Sequence, residues 1–331
     1  MSASSLSVPV PDFLSISTKP NAPISYTFFP AIDLHPTPYY KTLIVCVNGL
    51  GLPAASWIPA ITTLQSLLQS CPAILTYDRF GQGLTTSRDP LDGQKGKELG
   101  HDFLDVAYDL HQIILKVAAK KLGLQRSQVE HGSLQLLLVG ASIGAPIARL
   151  FAQSYQNLVS GLVLLDSNIA NVNCSDFLPD PDSPDFDADS LLSTDCTLEQ
   201  YREARLKVTN MFDLNAKNPE GLDRTNSPVL LPYSNQPKLL GPGESGPLLS
   251  VVGHDPDTFA DVSLAMMGIP KSLSKIMNEY WAQYNDSLTE ITDVGKCKGV
   301  VIAKGCGHFI QKDNPYFVAQ VISDTIKELG W

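Results

Sequence analysis

The sequence predicts an α/β fold, a mainly parallel eight-stranded β-sheet with helices on both faces. Two observations lead to this prediction. Short apolar runs alternate along the chain with longer segments whose apolar residues recur at helical spacing, and parallel strands require such crossovers. The composition, 44% hydrophobic and 18% charged residues over 331 positions, supplies a sizeable core for one large domain or two ordinary ones.

Six strands are predicted in the first half of the chain. They cover residues 14–18, 24–29, 43–47, 73–77, 134–139 and 161–165. The predicted helices cover residues 54–69, residues 98–121 and a segment that ends near residue 152. In the second helix, apolar residues such as Phe103, Val106 and Leu110 recur every three or four positions, as on one helix face.

The alternation breaks between residues 167 and 246. This stretch holds an acidic, proline-studded segment and a predicted helix at 198–211. About 80 residues without strands is too long for a structureless loop, so we interpret it as a partly helical cap. Strands at 248–252 and 299–303 and helices at 272–288 and 315–329 then resume the pattern. We therefore predict a core domain of residues 1–166 and 247–331, with a cap at 167–246 after the sixth strand.

Charge and composition exclude several classes of partner. The formal net charge is -10 and basic residues form no block, which argues against a nucleic-acid partner. The sequence has no run of 18 apolar residues for a membrane span and no signal-peptide pattern at its start. Its six cysteines form no CxxC pair. We expect a reduced, cytoplasmic protein that acts on a small molecule, with the oligomeric state, a homodimer included, left open.

The segment Gly140-Ala-Ser142-Ile-Gly144 fits the G-x-S-x-G pattern of a nucleophilic serine on a sharp strand-to-helix turn. Small flanking residues are needed because the backbone of that turn is tight. The pattern alone is weak, with roughly 0.1 chance matches in a chain of this length. Its context is stronger, since an apolar strand precedes it and a helix follows. The alternative interpretation is a glycine-flanked serine in an ordinary turn.

His308 is the best candidate for a general base. It lies between the last predicted strand and the last helix, at the sheet edge where open α/β folds place their sites. The other histidines considered fit less well, because His101 and His111 fall near or within a helix and His35 and His131 in polar connections.

These motifs together resemble the α/β-hydrolase superfamily, from about residue 40 to the end of the chain. The matching features are Asn48-Gly-Leu-Gly51, the segment 77–83, the serine motif and Gly307-His308, each after a predicted strand and in the family's order. The closing segment 307–315 and the capped insertion look most like fungal members.

The resemblance implies that Ser142 is the nucleophile, that His308 is its base, and that the backbone N–H groups of Leu50 and Ile143 form the oxyanion hole. Family members usually carry His-Gly in the loop after the third strand, where this chain has Asn48-Gly49. Because the donors are main-chain groups, we expect the hole to be intact and only the bracing of the loop to differ.

The acid of the triad has two candidates. Asp166 ends the sixth strand, and Asp255 follows the seventh without the family's common Gly-x-x-Asp spacing. Both satisfy the family's Ser-acid-His order, but Asp255 also lies 53 residues before His308, longer than the usual link, so Asp166 is favoured and Asp255 stays the alternative. Asp78 and Arg79 precede the serine, so we interpret them as an ion pair that braces a loop.

The combined prediction is a serine hydrolase that cleaves a carboxylic ester, lactone or thioester of a medium-sized hydrophobic substrate through an acyl-enzyme, with no metal or organic cofactor. Apolar cap residues suit such a substrate but would serve equally to pack the cap: Phe177, Phe186, Leu191, Leu192, Met211 and Phe212. Two alternatives stay open on the same fold, a C–C bond hydrolase with the same triad and a non-catalytic ligand-binding protein.

Overall fold

The computed structural model describes residues 7–32 and 41–331, so His35 lies outside the described residues. Eight strands form one sheet in the order β1-β2-β4-β3-β5-β6-β7-β8. They are β1 Asp12–Ile16, β2 Lys19–Phe29, β3 Lys41–Val47, β4 Ala73–Tyr77, β5 Leu134–Ala141, β6 Val159–Leu165, β7 Leu248–His254 and β8 Cys297–Ala303. Strand β2 pairs antiparallel with β1 and β4, and the other pairings are parallel. The predicted mainly parallel eight-stranded sheet is confirmed.

Strand β2 runs through Pro20 and Pro23, which lie between the first two predicted strands. Its first residues, up to Ser25, are in register only with the edge strand β1, and pairing with β4 begins at Tyr26. A proline is tolerated where one side of a strand has no ladder to join, because its missing N–H is then not needed. This local edge explains why Pro20 and Pro23 do not end the strand.

The helices lie on both faces of the sheet. They are α1 Ile58–Leu67, α2 Phe103–Val117, α3 Arg126–Gln128, α4 Gly144–Ser154, α5 Ala188–Leu191, α6 Leu198–Phe212, α7 Ser227–Leu230, α8 Pro256–Met267, α9 Lys271–Leu288, α10 Ile310–Asp313 and α11 Pro315–Glu328. Along β3, Leu43 and Val45 join the apolar cluster of α2 and α4, while Ile44 and Cys46 join that of α1 and α11. This period of two is what a strand covered on both faces requires.

Two helices differ from the prediction, one in its start and one because it was not predicted. Helix α2 begins at Phe103 because the side chain of Asp102 accepts the N–H groups of Leu104 and Asp105, which makes Asp102 its N-cap. Helix α8 was not predicted. Its signal was present in the sequence, since Asp255 caps it and Pro256 occupies its first position.

The segment between β6 and β7 contains α5, α6 and α7, as expected for a partly helical insertion. Its apolar side chains, including Tyr201 and Val208, share one cluster with Leu273 and Met277 from the segment between β7 and β8. The helical layer at this end of the molecule is therefore built from two excursions of the chain. Within the described ranges, no helix is long and apolar enough to cross a membrane.

Candidate active site

Ser142 occupies the turn between β5 and α4. Its φ is 54°, a left-handed conformation that is strained for a residue with a side chain and that aims the hydroxyl out of the turn. The flanking glycines are sterically required. A Cβ on Gly140 would overlap the backbone of Gly144, and a Cβ on Gly144 would overlap the carbonyl of Val47. The strand, turn and helix predicted around the motif are all present.

A hydrogen-bonded chain joins Ser142, His308 and Asp166. The Nε2 atom of His308 lies 2.9 Å from the Oγ atom of Ser142, and its Nδ1 atom lies 2.5 Å from the Oδ2 atom of Asp166. Asp166 is fully buried at the end of β6, whereas 23% of the His308 side chain is exposed. The arrangement can accept a proton from the serine hydroxyl and stabilise the resulting imidazolium.

Asp166 is held in its ionised form by the two histidines that contact it. Burial disfavours the charge, but hydrogen bonds and charges of His254 and His308 outweigh burial and lower the pKa of Asp166 to about 2. Its own N–H donates to the carbonyl of Val252 on the neighbouring strand at 2.7 Å, which fixes the backbone. The carboxylate is thus a permanent hydrogen-bond acceptor at neutral pH.

The alternative acid, Asp255, lies elsewhere. Its carboxylate caps α8 by accepting the N–H groups of Asp257 and Thr258, and it accepts the N–H of Gly305 at 3.1 Å. It therefore contacts the backbone of the loop that carries His308, and not the imidazole ring. The structure brings Asp166 to His308 and leaves Asp255 as a helix cap.

A second histidine contacts Asp166, and the sequence analysis did not consider it. The Nδ1 atom of His254 lies 2.8 Å from Oδ1 of Asp166, the carboxylate oxygen that His308 does not use. His254 is the last residue of β7, so it ends at the same sheet edge as Asp166. A histidine at that edge, next to the two acids of Gly253-His-Asp-Pro-Asp257, was the available signal.

The loop after β3 lies beside the nucleophile. A Cβ on Gly49 would be 3.2 Å from the Cβ of Ser142. Among the residues that the structure describes, the N–H groups of Leu50 and Ile143 have no hydrogen-bond partner, whereas Gly51 N–H donates to the Oε1 atom of Glu220 at 2.6 Å. Leu50 and Ile143 thus keep donors available for a developing oxyanion.

Asn48 braces this loop through its side chain. Its Nδ2 donates to the carbonyl of Tyr77 and to Oε1 of Gln82, both at 2.8 Å, and its Oδ1 accepts Trp57 Nε1 at 2.8 Å. The amide is buried and all three bonds are internal. The side chain of Asn48 therefore ties the loop after β3 to the segments that carry Trp57, Tyr77 and Gln82.

Arg79 and Glu220 form a buried clamp on the same loop. The Nε atom of Arg79 lies 2.8 Å from Oε2 of Glu220, and its terminal nitrogens donate to the carbonyls of Asn48 and Gly49 at 2.7 and 2.9 Å. The sequence predicted an Asp78–Arg79 ion pair, and this was wrong. Asp78 instead accepts the N–H groups of Ala54 and Leu84.

Residues 44–321 match the model of the alpha/beta hydrolase family, so this chain belongs to that family. The resemblance drawn from the sequence motifs is confirmed. A search of curated proteins finds no match to the sequence.

Solved structures of hydrolases share the fold. A thermophilic esterase from Thermogutta terrifontis aligns over 97% of this chain and 99% of its own, with 16% identity and a TM-score of 0.50. A monoglyceride lipase from Saccharomyces cerevisiae aligns over 98% and 95%, with 13% identity and a TM-score of 0.51. The epoxide hydrolase CorEH aligns over 97% and 99%, with 15% identity and a TM-score of 0.52. At these identities the likeness shows the fold alone.

Proposed function

We propose that this chain is a serine hydrolase that cleaves a carboxylic ester, lactone or thioester. The observation that carries the proposal is the unbroken chain of hydrogen bonds from the Ser142 hydroxyl through His308 to Asp166. The strained backbone of Ser142 at the start of a helix adds to it, because such strain is retained where it serves a site.

The proposed reaction has two halves. His308 takes the proton of Ser142 as its oxygen attacks the substrate carbonyl, and the N–H groups of Leu50 and Ile143 donate to the oxyanion that forms. The same proton then passes to the leaving group, which departs and leaves an acyl-enzyme. His308 next takes a proton from water as the water oxygen attacks the acyl carbonyl. The acyl–oxygen bond then breaks, the proton passes from His308 to Oγ of Ser142, and the carboxylic acid is released.

A hydrophobic acyl or alcohol group is the proposed preference. Phe309 stands next to His308, with ring centroids 5.2 Å apart, and is 39% exposed. Val262 on α8 is 40% exposed and close to Gly307. In the proposed cap, residues 167–246, Met211 and Phe212 keep exposed side chains, whereas Phe177 is buried in the core cluster and acts in packing.

The direct test compares the wild type with Ser142→Ala on p-nitrophenyl esters of increasing acyl length. We expect the alanine variant to lose on the order of 10⁶-fold in kcat, because the nucleophile is removed. A matched control, Ser160→Ala, removes another buried serine, whose hydroxyl donates to Oε1 of Gln135, and it should retain activity. The acyl length giving the highest kcat/KM would measure the substrate pocket.

A fluorophosphonate probe provides a second readout that needs no natural substrate. We expect the wild type to be labelled at Ser142 and Ser142→Ala to remain unlabelled. A folded wild type that is neither labelled nor active on any ester would contradict serine hydrolysis. That result would favour C–C bond hydrolysis or ligand binding as the function. The cytoplasmic location and the absence of a cofactor requirement stay predictions.

The same assays separate the two acids. Asp166→Asn should lower kcat by about 10⁴-fold, because an amide can no longer hold His308 in the tautomer that accepts the serine proton. Asp255→Asn should cost less than tenfold, since the amide oxygen can still cap α8. Equal losses, or a larger loss for Asp255→Asn, would refute the assignment of Asp166.

A further inference from the structure

We propose that His254 is a positioning residue, a buried imidazolium that holds the carboxylate of Asp166 from the side opposite His308 and sets the pH range of catalysis. This inference rests on the proposed function, since it concerns the acid of the same triad. It adds a fourth side chain, with a charge of its own, to the three that the resemblance implies.

The two oxygens of the Asp166 carboxylate are bonded to different residues. Oδ2 of Asp166 is bonded to His308, while Oδ1 accepts Nδ1 of His254 at 2.8 Å and the backbone N–H of His254 at 3.3 Å. Each oxygen therefore has its own partner. Rotation of the carboxylate would break bonds on both sides, so His254 holds Oδ2 in line with His308.

The hydrogen-bond partners of His254 indicate its protonation state. Its Nε2 atom lies 2.9 Å from Oδ1 of Asn278, and Nδ2 of Asn278 donates to the carbonyl of Pro256 at 3.0 Å. A carbonyl can only accept, which fixes the amide with its oxygen toward His254. Both ring nitrogens of His254 thus face acceptors, and satisfying both requires a proton on each.

The surroundings of His254 agree with a buried cation. The ring stacks on Phe259 with centroids 4.3 Å apart and meets Trp281 edge-on at 5.4 Å. Burial disfavours the charge, but the bonds to Asp166 and Asn278 outweigh burial and raise the pKa of His254. The described charged or titratable groups around it are Asp166 at the end of β6, Asp255 at the start of α8, His308 after β8 and Lys304, 4.0 Å from Asp255.

The charge of His254 affects the proton transfer from Ser142 to His308. When His308 accepts the serine proton, it becomes a second cation on the same carboxylate. The positive charge of His254 repels that second cation across the shared carboxylate. Removing the charge should move the acid limb of the pH profile to higher pH.

The test uses His254→Asn, whose amide nitrogen can replace Nδ1 as a neutral donor to Asp166. We expect the midpoint of the acid limb of kcat/KM, measured with a p-nitrophenyl ester from pH 5 to 9, to rise by about one unit. A shift of about one unit means that kcat/KM below the limb should fall about tenfold further than any loss on the plateau of the same variant. A purely structural role would lower the plateau and leave the midpoint in place, and that outcome would overturn the proposal.

The matched control is His111→Asn. His111 is also buried and stacks on Tyr155 at 3.8 Å, but it contacts none of the triad residues. The midpoint in this variant should equal that of the wild type. The pH dependence of fluorophosphonate labelling tests the serine hydrolase and the role of His254 separately. Absent labelling refutes the serine hydrolase. Labelling with the same midpoint in His254→Asn and wild type refutes only the role of His254.

A measurement on the wild type covers the case in which His254→Asn does not fold. Followed from pH 5 to 9, the ¹⁵N chemical shifts of the assigned His254 ring should remain those of a doubly protonated imidazole to a higher pH than in a histidine model peptide. A His254 ring that turns neutral at or below the pH of the model peptide would overturn the proposal without any variant.

Discussion

Two buried ionic clusters each supply a residue, Arg79 and Asp109, to the lining of one small cavity of about 10 Å³. In the first, Arg79 and Glu220 bond to the loop beside Ser142. In the second, Lys19 lies between Asp89 and Asp109 at 2.6 and 2.5 Å. Both are shielded from water, so burial of an ion pair does not by itself distinguish a functional cluster from a structural one.

The Arg79 cluster and the Lys19 cluster differ in the groups outside the cluster to which their charged side chains are hydrogen-bonded. The planar guanidinium of Arg79 donates to two carbonyls of the loop after β3 as well as to Glu220, and Glu220 accepts from Gly51 and Gln82 in addition. The ammonium of Lys19 is a point charge shared by two carboxylates, and His101 lies 3.9 Å from one of them, Asp89. The first cluster thus positions a loop, while the second only joins β2 to α2 and to the segment that follows β4.

The largest effect expected from this contrast is on activity. Glu220→Gln should lower kcat/KM roughly 100-fold, because it leaves Arg79 without a counter-charge and weakens the hold on Gly51, next to the Leu50 donor. Asp109→Asn makes the same isosteric change in the other cluster and should leave kcat/KM within about threefold. Ester hydrolysis is measured for both at a temperature where circular dichroism shows them folded.

Glu220→Gln and Asp109→Asn test whether the Arg79 cluster serves activity and the Lys19 cluster does not. If Glu220→Gln kept full activity, the clamp would be a structural pair like the Lys19 cluster. If Asp109→Asn lost as much activity as Glu220→Gln, the two clusters would act as one unit across their shared cavity. Either result would contradict the assignment of a functional role to the first cluster and a structural role to the second.

The sequence predicted what depends on local pattern. Strands were found from apolar runs, and Ser142 and His308 from motifs placed at strand ends, because the ends of parallel strands meet at one sheet edge. What it missed depends on contacts between distant segments. His254 and Asp166 are 88 residues apart, and Arg79 and Glu220 are 141 apart. Periodicity carries no information on such pairings, and the adjacency of Asp78 and Arg79 suggested the wrong partner.

The smallest effect expected concerns stability in the Lys19 cluster. Burial raises the pKa of Asp109 to about 6, although Lys19 partly offsets it. Because the folded-state value lies above the ordinary value of 3.8, this group contributes stability below about pH 4 that is lost as the pH rises through 6. Asp109→Asn removes that dependence, so its free energy of unfolding relative to wild type should improve by about 1 kcal/mol between pH 5 and 7.5. Urea unfolding of both proteins at the two pH values measures the difference, and a relative stability that stays constant or falls would show that Asp109 is ionised without cost beside Lys19.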